Sequence, residues 1–371
     1  MVFFKISDDG VLEFSKTLWI FSIALWSVCA IAYMSALSYE HRDLFQTNFI
    51  RGMTFVQYSA KAIFSFAIIK FYIKEHKLFL ETANRTIKTV IRITILTKNL
   101  RLFGQEFYLI VLGRVFLISL IFIADLPNIK VIHESTDPSF VVQNIFGYVL
   151  VNGTFIALDV ICLLYISSSA MFLAIGLHLE SLVERIRESE TKFMAIFRRK
   201  KIMKEFCVEI EECSEIYSEI FETITKFHET VQLLILFYIF FTLTSMISGI
   251  HVCFINYMKF GGIRWFLLSL RTLQIINLLI LVLCVDLMVR RSKIPQNLDW
   301  ESLYSNYEND EQWDRCIYQF LVRLRLEDLK IDVFGLFSLN REFCLQVFSL
   351  MVGYLTIMIQ FSMMGYFKEE S

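Results

Sequence analysis

The chain has 371 residues, of which 56% are hydrophobic, 15% aromatic and 20% charged, with a net charge of −1. A soluble domain is usually about 45–50% apolar and about 25% charged, so this composition excludes an ordinary soluble globule. Near-neutral charge gives no reason to expect nucleic acid as a partner. With 13 Gly and 3 Pro, the sequence has no low-complexity or linker-rich region.

The apolar residues are clustered. No Asp, Glu, Lys or Arg occurs from Thr17 to Tyr39, from Thr230 to Met258 or from Phe343 to Phe367. Each run exceeds the roughly 20 apolar residues that cross a bilayer core. Residues 1–16 carry Lys5 and Lys16 against Asp8, Asp9 and Glu13, so they lack the basic flank of a cleavable signal. Seven spans are predicted, at about 17–37, 53–73, 107–126, 145–175, 231–254, 264–289 and 343–364. The second contains Lys61 and the third Arg114. The fourth is long enough to be split in two. Leu158-Asp159-Val160 offers no Gly or Pro turn, however, and one helix running past the membrane is the simpler expectation.

Charge decides the orientation. Lys and Arg number 26 on the side of the N-terminus and 6 on the other, with Lys61, Lys70, Arg114 and Arg271 inside spans. The positive-inside rule places the N-terminus in the cytoplasm and the C-terminus outside. A G-protein-coupled receptor has the opposite orientation, and neither Asp-Arg-Tyr after span three nor Asn-Pro-x-x-Tyr in span seven is present. On this topology the sequon Asn84-Arg85-Thr86 is cytoplasmic and unused. The run Arg198-Arg199-Lys200-Lys201 is a solvated loop or a contact to anionic lipid.

Two cytoplasmic stretches are patterned. Phe206, Ile210, Cys213, Tyr217, Ile220, Ile224 and Phe227 alternate steps of four and three, with Glu209, Glu211, Glu215 and Glu219 off the seam. This helix runs straight into span five. A second segment, 311–329, gathers Trp313, Ile317, Phe320, Leu321 and Leu324 on one face. Each face needs an apolar partner, supplied either by the same chain or by a second subunit.

In span seven, Gln346, Ser349, Gly353, Thr356 and Gln360 fall at steps of 3, 4, 3 and 4, forming one stripe on an otherwise apolar helix. Side-chain amides in lipid need partners or water. Two readings follow, a helix lining an aqueous path and a close helix–helix interface of small residues.

Gly353-Tyr354, then Leu355-Thr356-Ile357-Met358-Ile359, then Gln360-Phe361, resembles the insect gustatory receptor signature of Thr-Tyr, five mostly apolar residues and Gln-Phe. Gly353 stands where that signature has Thr. The stretch Phe334 to Asn340 resembles the family's break before its last helix, and Leu177-His178-Leu179-Glu180-Ser181-Leu182 is similar to a weaker family pattern. The resemblance implies an all-α membrane protein with seven transmembrane helices and a cytoplasmic anchor bundle. It also implies a ligand-gated cation channel of four identical or mixed gustatory receptor subunits, in the plasma membrane of a sensory neuron. Residues 1–290 would then hold spans one to six and an outward pocket for a small-molecule tastant, with a bitter compound as the default. Residues 291–371 would hold the amphipathic segment and the pore-lining seventh span, with Gln360 and Phe361 at the gate and Tyr354 in the motif. The related odorant receptors are a neighbouring reading. A secondary transporter is a third, although no internal repeat is visible.

Ionisable residues within the membrane are candidates for function. Asp159 lies near the middle of span four, and Lys61 or Arg271 in the outer half is its expected partner. Tyr58, Tyr148, Trp265 and Gln274 share that outer region and, with these charges, are the candidate pocket. Arg114 and Asp286 are expected to snorkel toward the cytoplasm. The 6 His and 8 Cys show no metal-ligand spacing, and HExxH, Walker and Gly-x-Ser-x-Gly motifs are missing. No enzyme activity, cofactor, metal or disulfide is expected.

Overall fold

The computed structural model describes residues 4–7, 11–37, 48–98, 102–134, 138–191, 196–260, 265–300 and 311–370. Among them nine α-helices form: α1 (Lys16–Leu37), α2 (Asn48–Lys74), α3 (His76–Thr97), α4 (Gln105–Glu134), α5 (Pro138–Thr191), α6 (Ile196–Phe260), α7 (Trp265–Ser292), α8 (Glu311–Leu326) and α9 (Arg341–Glu370). Two antiparallel hairpins complete the description, β1 (Phe4–Ile6) with β2 (Leu12–Phe14) and β3 (Asp332–Val333) with β4 (Phe337–Ser338).

Seven of these helices contain the seven expected spans. α5, α6, α7 and α9 are each long and apolar enough over their described residues to cross a membrane. α5 has 54 residues and α6 has 65. At 1.5 Å per residue they reach about 80 Å and about 100 Å, far beyond a hydrocarbon core of about 30 Å. The fourth span is therefore one helix, and the seam at 206–227 and span five are one continuous helix.

α5 packs extensively on α7, and α6 packs on α2, α3, α7, α8 and α9. The seam from Phe206 to Phe227 is buried throughout, as are Trp313, Ile317, Phe320 and Leu324 of α8. Of the two partners left open for these faces, the chain supplies its own. Tyr217 Oη donates to the Ser292 carbonyl at 3.0 Å, and Ser218 Oγ donates to Glu327 at 2.7 Å. Burial, with Ser218 donating against it, pushes the Glu327 carboxyl up. The off-seam acids also hold this bundle together. Arg92 of α3 pairs with Glu219 at 2.9 Å, and Arg185 of α5 with Glu209 at 2.8 Å.

α3 is not among the expected elements, and its regular apolar row, Ile87, Ile91 and Ile95, is exposed. Its buried face is His76, Thr82, Thr86, Thr89, Ile93 and Thr97, so the stripe is spaced like a helix but written largely in threonine. Thr86, Thr89 and Thr97 donate to the carbonyls four residues back, which lets their hydroxyls be buried at little cost.

The break before the last helix is the β3–β4 hairpin. Its turn places Phe334 at φ 52° and Gly335 at φ 68°, where glycine is favoured. Asn340 then caps α9, its Oδ1 accepting the Phe343 N–H at 2.9 Å.

Candidate functional site

Among the described residues α9 leans on the bundle mainly through α6 and α7. Phe343, Met351 and Met358 are buried there, and Val347 and Leu355 are half-buried. At about 100° per residue the stripe of Gln346, Ser349, Gly353, Thr356 and Gln360 is centred roughly 180° from Met351. All five residues are exposed. A Cβ at Gly353 would meet nothing within 4 Å, so packing inside the chain does not require that glycine. Thr356 Oγ1 donates to the Val352 carbonyl at 2.9 Å. Tyr354 is exposed, and the Phe361 side chain lies outside the described residues. The polar stripe thus faces away from its own bundle.

Asp159 has a different partner from either one expected. It pairs with Arg114 of α4. Arg114 also donates to Asn277 Oδ1 of α7, and Asn277 Nδ2 donates to Tyr238 Oη of α6 at 3.0 Å. Four helices meet in this network, and Arg114 is only 4% exposed. Arg114 therefore does not snorkel. A guanidinium surrounded by packed helices gains more from a carboxylate and an amide beside it than from stretching toward distant water. Asp286 instead joins α7 to the start of α9, accepting from Arg290 at 3.1 Å and Arg341 at 2.9 Å.

Of the other pocket candidates, Arg271 and Gln274 come together. Arg271 Nη1 donates to Gln274 Oε1 at 2.9 Å, and both are buried. Gly249 of α6 makes room for them, since a Cβ there would lie 2.6 Å from Arg271 Nε. Trp265 is 69% exposed and lines no interior. The side chains of Tyr58, Lys61 and Tyr148 lie outside the described residues. Two grooves that described residues line are at the other end of the molecule. One, of about 650 Å³, runs between α6 and α8. The second, of about 320 Å³, lies between α2, α6 and Phe334 of the hairpin turn.

The profile of the family described as 7tm Chemosensory receptor matches residues 6–365. The chain belongs to that family. Among curated proteins, this chemosensory receptor is 28% identical over 309 residues to the Drosophila melanogaster "Gustatory receptor for bitter taste 93a", covering 81% of this chain and 73% of that one. Among solved structures, the insect olfactory receptor OR5 from Machilis hrabei superposes with a TM-score of 0.60 at 10% identity, over 91% of this chain and 87% of that one. That likeness carries the fold. A multi-pass receptor of the plasma membrane, rather than an enzyme, is what the family supplies.

Proposed function

We propose that this chemosensory receptor is one subunit of a tetrameric cation channel opened directly by a small organic tastant, of the bitter or otherwise aversive kind. One observation carries the reading: the polar stripe of α9 points away from the bundle that supports it. In a lone subunit that stripe would lie in lipid, where two glutamines are costly. Around a four-fold axis the same face lines water. The relative named for bitter taste supports the ligand class. Arg271 and Gln274, buried and joined to each other, are the proposed core of the tastant site, with Tyr58, Lys61 and Tyr148 as further candidates and the Arg114–Asp159 pair beneath.

Cells expressing this chain alone, challenged with a panel of bitter alkaloids and sugars, are expected to pass inward cation current when G-protein signalling is blocked. A response that needs the G protein, or solute uptake without current, would sink the channel reading.

The charge split sets the topology within this proposal, with α3, α8 and the long ends of α5 and α6 in the cytoplasm. An epitope placed after Ser371 is therefore expected to stain intact cells. Staining only after permeabilisation would reverse the orientation.

A further inference from the structure

β3 and β4 are two residues each. A hairpin this short is marginal by itself, so its position depends on what it grips. It grips α6 at two points. The Phe334 N–H donates to Gln232 Oε1 at 3.1 Å. His228 Nε2 lies 2.9 Å from the Asp332 carbonyl on β3.

A carbonyl can only accept, so Nε2 carries the proton and Nδ1 is the free acceptor. Tyr165 Oη of α5 lies 2.8 Å from that Nδ1 and donates to it. Tyr165 is fully buried and His228 is 6% exposed. One imidazole therefore joins α5, α6 and the hairpin, with one donor and one acceptor each used once.

The junction lies between two parts of the proposed channel. Tyr165 is six residues from Asp159 along α5, less than two turns. The hairpin passes at Asn340 directly into the cap of α9. We propose that His228 is a positioning residue that transmits displacement of α5 to the pore helix, by holding the Asp332 carbonyl of the hairpin. The proposal rests on the reading that α9 lines the pore.

Protonation gives it a specific signature. The titratable groups that face His228 are Tyr165 from α5, Glu229 from α6 and Asp332 from β3. Burial holds the imidazole below its ordinary range, against the upward pull of Asp332 and Glu229. The neutral form is the latched one. As cytoplasmic pH falls, Nδ1 gains a proton and can only donate, so the Tyr165 hydroxyl must turn to accept and its own buried proton loses its acceptor, which loosens the α5 end of the relay.

The test uses the full-length receptor with His228→Leu, His228→Gln and Tyr165→Phe. Leu removes both hydrogen bonds. Gln keeps one donor and one acceptor, with nothing to titrate. In purified protein, His228→Leu is expected to speed amide hydrogen exchange over 331–340 by about tenfold, the cost of one net hydrogen bond, with α5 and α6 unchanged. His228→Gln is expected to exchange like wild type. In cells, with the alkaloid that evokes the largest wild-type current, His228→Leu should lower the maximal current at equal surface expression. Tyr165→Phe should lower it less, and the double variant no further than His228→Leu. In inside-out patches, acidifying the cytoplasmic face should reduce wild-type open probability and leave His228→Gln unaffected. Wild-type exchange of the hairpin in His228→Leu would overturn the relay whatever the currents do. So would identical acid inhibition in His228→Gln. Absence of any wild-type current would overturn the channel reading instead.

Discussion

Arg114→Met is expected to be among the most damaging single substitutions in this receptor, more so than the loss of an exposed ion pair such as Arg315 with Glu311. The difference is burial. Arg315 and Glu311 are 69% and 91% exposed, and such a pair contributes about 0–1 kcal/mol. The side chains of Arg114 and Asp159 are 5% and 13% exposed and stand within a four-helix network. Removing one partner leaves the other charge uncompensated in a dry interior, at a cost of about 3–5 kcal/mol. The amide oxygen of Asn277 loses its donor as well. The melting temperature of the full-length receptor in detergent should fall by about 4–6 °C, with a matching loss at the cell surface. Removing both charges is a different experiment. Arg114→Met with Asp159→Leu should recover most of the loss, because an apolar pair of similar volume avoids the desolvation that the ions carry. A single variant that melts like wild type would show that α4 is held by its apolar contacts alone. A double variant no better than the single would place the cost in shape rather than charge.

The same contrast explains what the sequence made legible. Spans were readable because crossing lipid demands long charge-free runs, and α1, α6 and α9 carry them in full. The seams at 206–227 and 311–329 were readable because a buried helical face must repeat every three or four residues. Their partners were not. A period says that a face is covered, while the cover comes from distant elements, 75 residues away for Tyr217 reaching Ser292 and 109 for Ser218 reaching Glu327. α3 was misleading because its regular apolar row, Ile87, Ile91 and Ile95, is exposed, while the buried face is largely threonines that satisfy their hydroxyls on their own helix. Asp159 was marked as unusual by its depth, but its partner is neither Lys61 nor Arg271, and finding Arg114 needed the packing of α4 against α5 and α7. His228 looked like one of six scattered histidines, because its two partners lie 63 and 104 residues away.

Gln360→Arg is expected to abolish tastant-evoked cation current while the receptor still reaches the surface. Gln360 lies on the face of α9 opposite Met351 and Met358, and its side chain is exposed. Among the described residues nothing packs on it, and a longer side chain there should leave the fold intact. In the proposed tetramer the substitution would set four guanidinium groups in one ring, and a ring of like charge facing water excludes ions of its own sign. Gln360→Ala removes the amide without adding charge, and should alter gating or conductance while leaving permeation possible. Phe361 follows at about 100° around the helix, so a modest rotation of α9 exchanges an amide for an aromatic residue at the same level of the axis. An amide ring stays wet, whereas an apolar ring closes a path by dewetting. The competing role, a close interface of small residues between subunits, makes the opposite forecast. There Gln360→Arg would force a bulky charge between packed helices, so tetramers would be lost before conduction changed. Current amplitude, surface labelling and oligomer size measured on the same cells separate the two. Full-sized current through a well-expressed Gln360→Arg channel would remove this residue from the pore, and loss of tetramers with the fold retained would move the stripe to a subunit interface.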